Sequence, residues 1–227
     1  MLRVRPVVST PDLPGAARFL QALGLAPAQD PAPDGSCAVF DAGSGRVALR
    51  ACTAGSAEDG TVRLAFDVSD VREFARRTAG SGARLTVELT DGDRPTARVT
   101  GPDGLSLHAD AGPRETAAPP SPLTVLALWS TPEVGAAAAV LDGIGARPRI
   151  RAGAGHEFRA KNGGLVAVRT DARTAAGFAF EYDGDVRDLV RGLTGAGYAP
   201  EVVDEGHERS LRVRAPWGTG VRVHERQ

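Results

Sequence analysis

The stretch from Val62 to Val68 alternates apolar residues with other residues along its whole length. An alternation with a period of two predicts a half-buried strand, because successive side chains of a strand point to opposite faces. Leu64, Phe66 and Val68 then form the buried face. The intervening residues, among them Arg63 and Asp67, are predicted to face the other way.

A helix and three more strands are predicted after this strand. Asp70 is placed as the N-cap of a helix that runs to Thr78, and the glycines of Gly80-Ser81-Gly82 end it. Turn residues such as Asp91-Gly92 then separate three short polar-apolar stretches. These predicted strands lie around residues 84–88, 96–100 and 105–109. The order is therefore strand, helix, strand, strand, strand.

This pattern occurs four times along the chain. The phrase Ser9-Thr10-Pro11-Asp12 returns 121 positions later as Ser130-Thr131-Pro132-Glu133, and residues 45–50 return as residues 164–169. Within the first half, the span from residue 12 to residue 24 has a counterpart 58 positions later. Repeats of this kind indicate duplicated structural units. The sequence therefore predicts an α+β protein made of four βαβββ modules.

Several of these segments resemble the vicinal oxygen chelate superfamily of glyoxalases, bleomycin-resistance proteins and extradiol dioxygenases. The resemblance lies in residues 9–25, in residues 64–71 and in the closing turn Gly101-Pro102-Asp103-Gly104 with residues 105–108. It implies two glyoxalase-like domains whose curled mixed sheets enclose clefts. The expected first domain is 1–112, with modules 1–58 and 59–112. A linker at 113–122 and a second domain at 123–227, with modules 123–174 and 175–227, are expected to follow.

Composition narrows the classes of partner. The net charge of −1 over 227 residues provides no electrostatic footprint for nucleic acid or an anionic membrane. No apolar run reaches membrane-spanning length, and the first residues show no signal-peptide pattern. We therefore expect a cytoplasmic protein, and the resemblance implies that it is monomeric or homodimeric and that its partner is a small organic molecule.

The resemblance also says where a metal would bind. In metal-dependent members, the first strand of each module supplies His or Gln and the last strand supplies Glu. The matching residues on the first strands are Arg5, Arg63, Leu126 and Gly177, and those on the last strands are Arg50, His108, Arg169 and Arg222. A guanidinium has no free lone pair, so only His108 could ligate a metal. The sequence thus predicts no cofactor, with a divalent metal held by other groups as the alternative.

Two cysteines leave three interpretations open. If the hairpin that contains them paired Val39 with Arg50, then Cys37 and Cys52 would face each other, with His108 nearby. Two thiolates and an imidazole suit zinc. A cross-strand disulfide and two ordinary reduced thiols are the other interpretations.

Polar residues alternate with apolar ones on the cleft strands of the first domain. They are Arg5, Ser9, Arg50, Arg63, Asp67, Ser106 and His108. One hypothesis is that Arg63 and Asp67 simply pair, since they lie two apart on one strand face. The other is that the arginines bind an anionic or enol group while His108 exchanges a proton as the catalytic residue.

The second domain offers a different candidate set. Small and apolar residues on its opening strands leave room for an organic ligand held by a few polar anchors. The candidate ligand-binding residues are Leu126, Leu128, Arg169, Glu181, Arg222 and His224. A purely structural ion pair between Glu181 and Arg169 or Arg222 is the alternative.

Two classes of function follow from these residues. The first is a binding protein without a metal, which resembles the bleomycin-resistance branch and sequesters or carries a small molecule. The alternative is a glyoxalase-like lyase, isomerase or oxygenase that uses His108 as acid/base or a non-standard metal site. Fold alone does not separate them.

Overall fold

The structure of the protein, a computed structural model, describes residues 1–28, 35–91, 94–114, 120–149, 156–206 and 209–226. Within these ranges, four modules follow the predicted order of strand, helix and three strands, with one additional strand at the start. The predicted α+β fold is confirmed, with a nine-stranded mixed sheet from β1–β9 and an eight-stranded mixed sheet from β10–β17. Residues 115–119 of the predicted linker lie outside the described residues.

The bounds of the elements are as follows. The first module and the strand before it comprise β1 (Leu2–Val4), β2 (Val7–Thr10), α1 (Leu13–Ala22), β3 (Ala26–Pro27), β4 (Cys37–Asp41) and β5 (Arg46–Ala51). The second comprises β6 (Val62–Val68), α2 (Val71–Ala79), β7 (Thr86–Thr90), β8 (Thr96–Thr100) and β9 (Ser106–Ala111). The third comprises β10 (Leu123–Thr131), α3 (Val134–Gly143), β11 (Arg147–Arg149), β12 (His156–Arg159) and β13 (Leu165–Thr170). The fourth comprises β14 (Ala175–Tyr182), α4 (Asp188–Gly195), β15 (Glu201–Asp204), β16 (Arg209–Arg214) and β17 (Gly220–Glu225).

Contacts along the chain define two compact units. The first unit contains Met1–Pro6, Arg63–Glu115 and Leu126–Gly177, and the second contains Val7–Val62, Thr116–Val125 and Phe178–Gln227. The first therefore holds the strands β6-β9-β8-β7 and β11-β12-β13-β10 in that order, and the second holds β3-β4-β5-β2 and β14-β17-β16-β15. The domain bounds 1–112 and 123–227 stay a prediction.

In the first unit, α2 shows why these residues form these elements. Asp70 caps the helix by accepting a hydrogen bond from the backbone N–H of Glu73 at 2.9 Å. Val71, Ala75 and Thr78 follow at helical spacing and are buried. The alternating residues of β6 supply the core on the sheet side, since Leu64, Phe66 and Val68 are at most 1% exposed.

The first unit also places Trp129, which is fully buried. Its indole N–H donates a hydrogen bond of 2.8 Å to Asp103 Oδ2 in the turn after β8. Gly101 in the same turn lies so close that an added Cβ would approach the Trp129 ring to 2.9 Å. The ring thus packs against the turn.

The second unit has an aromatic core. Phe19 of α1 meets Trp217 edge to face, with ring centroids 5.3 Å apart, and meets Tyr198 in the same way at 5.0 Å. Trp217 also lies against Phe178, at 6.1 Å. Such edge-to-face pairs add to the stabilisation from burial alone. Trp217 is therefore a packing residue.

Helices in the described ranges fall short of the length and apolarity that crossing a membrane requires.

Candidate functional site

One face of the sheet in the first unit collects most of the predicted polar residues. On β6, Arg63, Ala65 and Asp67 alternate with the buried residues that pack beneath α2. The register pairs Ala65 with His108 of β9, and it pairs His108 with Arg98 of β8. Directly paired residues of adjacent strands share a face. The alternation therefore predicted this face correctly.

Arg5 joins two carboxylates on this face. Its Nε donates to Asp67 Oδ1 at 2.5 Å, and its Nη2 binds Asp110 Oδ2. The Arg5 side chain is 12% exposed and that of Asp67 only 4%. The backbone holds Arg5 in place, because its N–H donates to the carbonyl of Ala65 directly after the short strand β1. Asp67 is thus paired with Arg5 and not with Arg63, contrary to the structural alternative.

Arg63 lies on the same face without such a partner. Within the described part of the chain it forms neither an ion pair nor a hydrogen bond. Arg98, on the other side of His108, donates from Nε to Ser106 Oγ at 2.9 Å and reaches Glu88 only at 3.9 Å. Ser106 also exchanges a hydrogen bond with Thr100 at 3.0 Å. The half-buried imidazole of His108 is therefore flanked by two guanidinium groups.

The electrostatics of this face act on His108. Burial of the imidazole, together with the charge of Arg63, holds the pKa of His108 below its ordinary value. Asp110 raises that pKa, while Arg98 and Arg5 lower it further. The net direction is downward, so the neutral imidazole is favoured near neutral pH. A neutral imidazole can both accept and donate a hydrogen bond.

The other candidates of the first unit lie on β10 and β13. Leu126 pairs with Leu165 and is 1% exposed, which leaves it little surface for a ligand. Leu128 pairs with Ala167 and is half-buried. Arg169 pairs with Ser130 and is exposed. These residues present an apolar strand with one charged residue near its end.

In the second unit, the hairpin of β4 and β5 has a different register from the predicted one, as the partners of Arg50 show. Arg50 pairs with Cys37 on β4 and with Ser9 on β2, whereas the sequence argument had paired it with Val39. The turn between Asp41 and Arg46 fixes this register, since those two residues pair and form a buried ion pair at 2.5 Å. Cys37 and Cys52 are both free thiols, so the disulfide interpretation is wrong.

Glu181 and His224 are brought together in the second unit. They pair directly on the parallel strands β14 and β17 and are 2% and 5% exposed. Arg222 lies on β17 opposite Arg212 of β16 and forms no ion pair in the described ranges. The expected ion pair between Glu181 and Arg222 is therefore absent from these residues.

Two residues of this polar face were missed by the sequence argument. Asp110 continues the alternation of Ser106 and His108 on β9, so its place on the face was available from periodicity alone. The place of Arg98 could not be predicted from periodicity, because its position next to His108 depends on the register between β8 and β9. That register is a tertiary property.

No protein-family model matches the chain, and no curated protein matches it. Solved structures do match, over nearly its whole length. The 2,3-dioxygenase LapB from Pseudomonas sp. KL28 is 13% identical, with a TM-score of 0.64 over 99% of this chain and 91% of that one. The Mn(II)-bound glyoxalase from Novosphingobium aromaticivorans is 20% identical, with a TM-score of 0.59 over 98% and 80%. Homoprotocatechuate 2,3-dioxygenase from Arthrobacter globiformis is 15% identical, with a TM-score of 0.59 over 99% and 78%.

These likenesses define the class of fold. The chain has the fold of the vicinal oxygen chelate superfamily in its tandem form, as its sequence resemblance implied. Identities of 20% or less establish the fold and leave the activity to be argued from the site.

The comparisons also correct the expectation of no cofactor. The glyoxalase neighbour is Mn(II)-bound, so the neighbours of this fold point to a divalent metal. The residues of this chain do not fit one at the positions that the resemblance implies. Arg5 and Arg63 offer guanidinium groups there, and the described ranges contain no cluster of three His, Cys, Asp or Glu residues that could hold an ion.

Proposed function

We propose that the chain binds a small organic anion on the polar face formed by Arg63, Arg98 and His108. The observation that carries this proposal is the contrast between two arginines of one face. Arg5 is engaged by two carboxylates, whereas Arg63 forms no ion pair in the described residues. A half-buried guanidinium without a carboxylate is an anchor for a carboxylate or phenolate ligand.

The neutral imidazole between the two arginines fits the same ligand. His108 can donate a hydrogen bond to an anion without first taking up a proton. Once bound, the anion would favour the protonated imidazole and would raise the pKa of His108. Anion binding and protonation of His108 are therefore linked.

The neighbours suggest which anions to examine. Two of them are named for homoprotocatechuate and catechol, the first of which carries a carboxylate that the second lacks. An aromatic ring with a carboxylate suits a sheet face that combines two arginines with the half-buried imidazole of His108. The proposed role is that of a binding, sequestering or carrier protein, as in the bleomycin-resistance branch that the sequence resembles.

An enzymatic role is the second candidate, and the depressed pKa of His108 favours it. An imidazole that is neutral near pH 7 can act as a general base toward a bound phenol or α-proton. In this case the arginines would hold the anionic form of the reacting group.

Calorimetric titration tests the binding proposal. Homoprotocatechuate is expected to bind more tightly than catechol, and Arg63→Ala to weaken only the former by roughly tenfold or more, as for one charge-assisted bond. Arg72→Ala is the matched control, since Arg72 is an exposed arginine of α2 paired with Asp91. Equal weakening by both variants would contradict the proposal. His108→Gln separates the binding role from the enzymatic one. If His108 is catalytic, the variant should lose turnover of the ligand and still bind it.

A further inference from the structure

An open cavity lies in the second unit, away from the residues of the first proposal. Its volume is about 360 Å³, within the range of small-ligand sites. It is lined by the strands β15, β16 and β17 and by the turn before β17. The lining residues are Ala199, Glu201, Arg212, Val213, Arg214, Gly218 and Gly220.

The strand register places the charges of this cavity on one face. Arg212 pairs with Glu201 on one side and with Arg222 on the other, and Arg214 pairs with Gly220. Two arginines directly opposite each other repel, which disfavours this arrangement unless an anion lies between or beside them. Two carboxylates meet this need beside Arg212, since Glu201 lies directly opposite it and Arg212 Nη2 donates to Glu205 Oε1 at 3.1 Å, whereas Arg214 lies opposite Gly220.

Further donors of these arginines remain available. The Nε of Arg212 is buried and lacks an acceptor in the described part of the chain. Arg214 and Arg222 form no ion pair or hydrogen bond through their side chains within the same ranges. A buried N–H without an acceptor is unfavourable, and the exposed guanidinium of Arg214 has no carboxylate partner in the described ranges, so it is open to an oxyanion.

The glycines keep this cavity open. A Cβ added to Gly218 or Gly220 would meet no atom within 4 Å. Gly220 stands directly opposite Arg214, so a larger side chain at this position would occupy the space in front of that guanidinium. The cavity can therefore be filled without removing any of its charges.

We infer that this cavity binds a small oxyanion, a carboxylate or a phosphate, through the guanidinium groups of Arg212 and Arg214 that line it. Planar guanidinium groups match both ligand geometries. The site lies in the second unit and uses none of the residues of the first proposal. Either proposal can therefore be wrong without affecting the other.

Amide and arginine side-chain NMR tests the inference. Inorganic phosphate and benzoate are titrated separately into the full chain at constant ionic strength. Saturable shifts at Arg212 Nε–H, Gly218 and Gly220 are expected with at least one anion, and the effective anion identifies the ligand as a phosphate or a carboxylate. The absence of a saturable shift with both anions would overturn the inference.

Two variants and one control make the test specific. Gly220→Leu and Arg214→Ala should each weaken binding by about tenfold or more. Arg191→Ala, an exposed arginine of α4 in the same unit, should leave it unchanged. If Gly220→Leu does not fold, Arg214→Ala still tests the site. Equal weakening by Arg191→Ala would show general surface attraction and would overturn the inference.

Discussion

Asp67 and Asp110 lie directly opposite each other on the parallel strands β6 and β9, and the guanidinium of Arg5 binds both carboxylates. Two like charges at such a pair would repel. Their duplicated counterparts are Glu181 and His224, which also pair directly on parallel strands. At the sequence position that corresponds to Arg5, the duplicated half has Leu126.

Removing the bridging arginine should destabilise the protein. Arg5→Leu removes the guanidinium that binds both the nearly fully buried Asp67 and its neighbour Asp110, and we expect the free energy of unfolding to fall by about 3 kcal/mol. Urea denaturation measures this change. Arg72→Ala breaks an exposed pair and should cost at most about 1 kcal/mol.

A double-mutant cycle shows whether the carboxylates cause this loss. In an Asp110→Asn background, Arg5→Leu should cost clearly less, because one of the two like charges is gone. An identical cost in both backgrounds would mean that Arg5 acts through packing alone.

The pKa of His108 predicts a pH dependence of stability. Because the pKa is lower in the folded than in the unfolded chain, the unfolded state binds more protons as the pH falls. Stability should therefore be highest above the unfolded pKa of about 6.5 and should fall as the pH drops toward the folded pKa.

Comparing the wild type with His108→Gln isolates this contribution. The difference between their free energies of unfolding, measured at a series of pH values, should change in this window in favour of the variant at low pH. A difference that does not vary with pH would contradict the proposed environment of His108.

The hydrogen bond between Trp129 and Asp103 provides a third prediction. Asp103→Ala leaves the buried indole N–H without its acceptor and should lower the free energy of unfolding by about 1–3 kcal/mol. Asp103→Asn retains an acceptor oxygen and should restore most of this loss. Thermal denaturation followed by tryptophan fluorescence measures both variants.

Local patterns predicted the elements closely where the signals are local. The predicted end of the helix at Thr78 is one residue short of α2, and the strand at 96–100 matches β8. The strand around 84–88 lies at Thr86–Thr90, because its extent depends on pairing with β8, in which Thr86 meets Thr100. The periodicity of a strand does not show which strand it pairs with, or in which register.

The sequence predicted which residues of the candidate site share a face of the sheet, but not which of them form ion pairs with each other. Alternation placed Arg63, Asp67 and His108 together. It did not show that β1 pairs with β6 and so brings Arg5 to Asp67, which releases Arg63 for a ligand. The Cys37–Arg50 register was missed for the same reason, since it depends on the length of the turn after Asp41.

The most direct test of anion binding beside Arg63 and His108 follows the ring resonances of His108 by NMR while homoprotocatechuate is added at constant pH. A pH titration of the same resonances is then recorded with and without the ligand. We predict saturable shifts of the His108 ring resonances, a higher pKa of His108 in the complex, and loss of both effects in Arg63→Ala. Binding that leaves the His108 resonances and pKa unchanged would contradict this prediction.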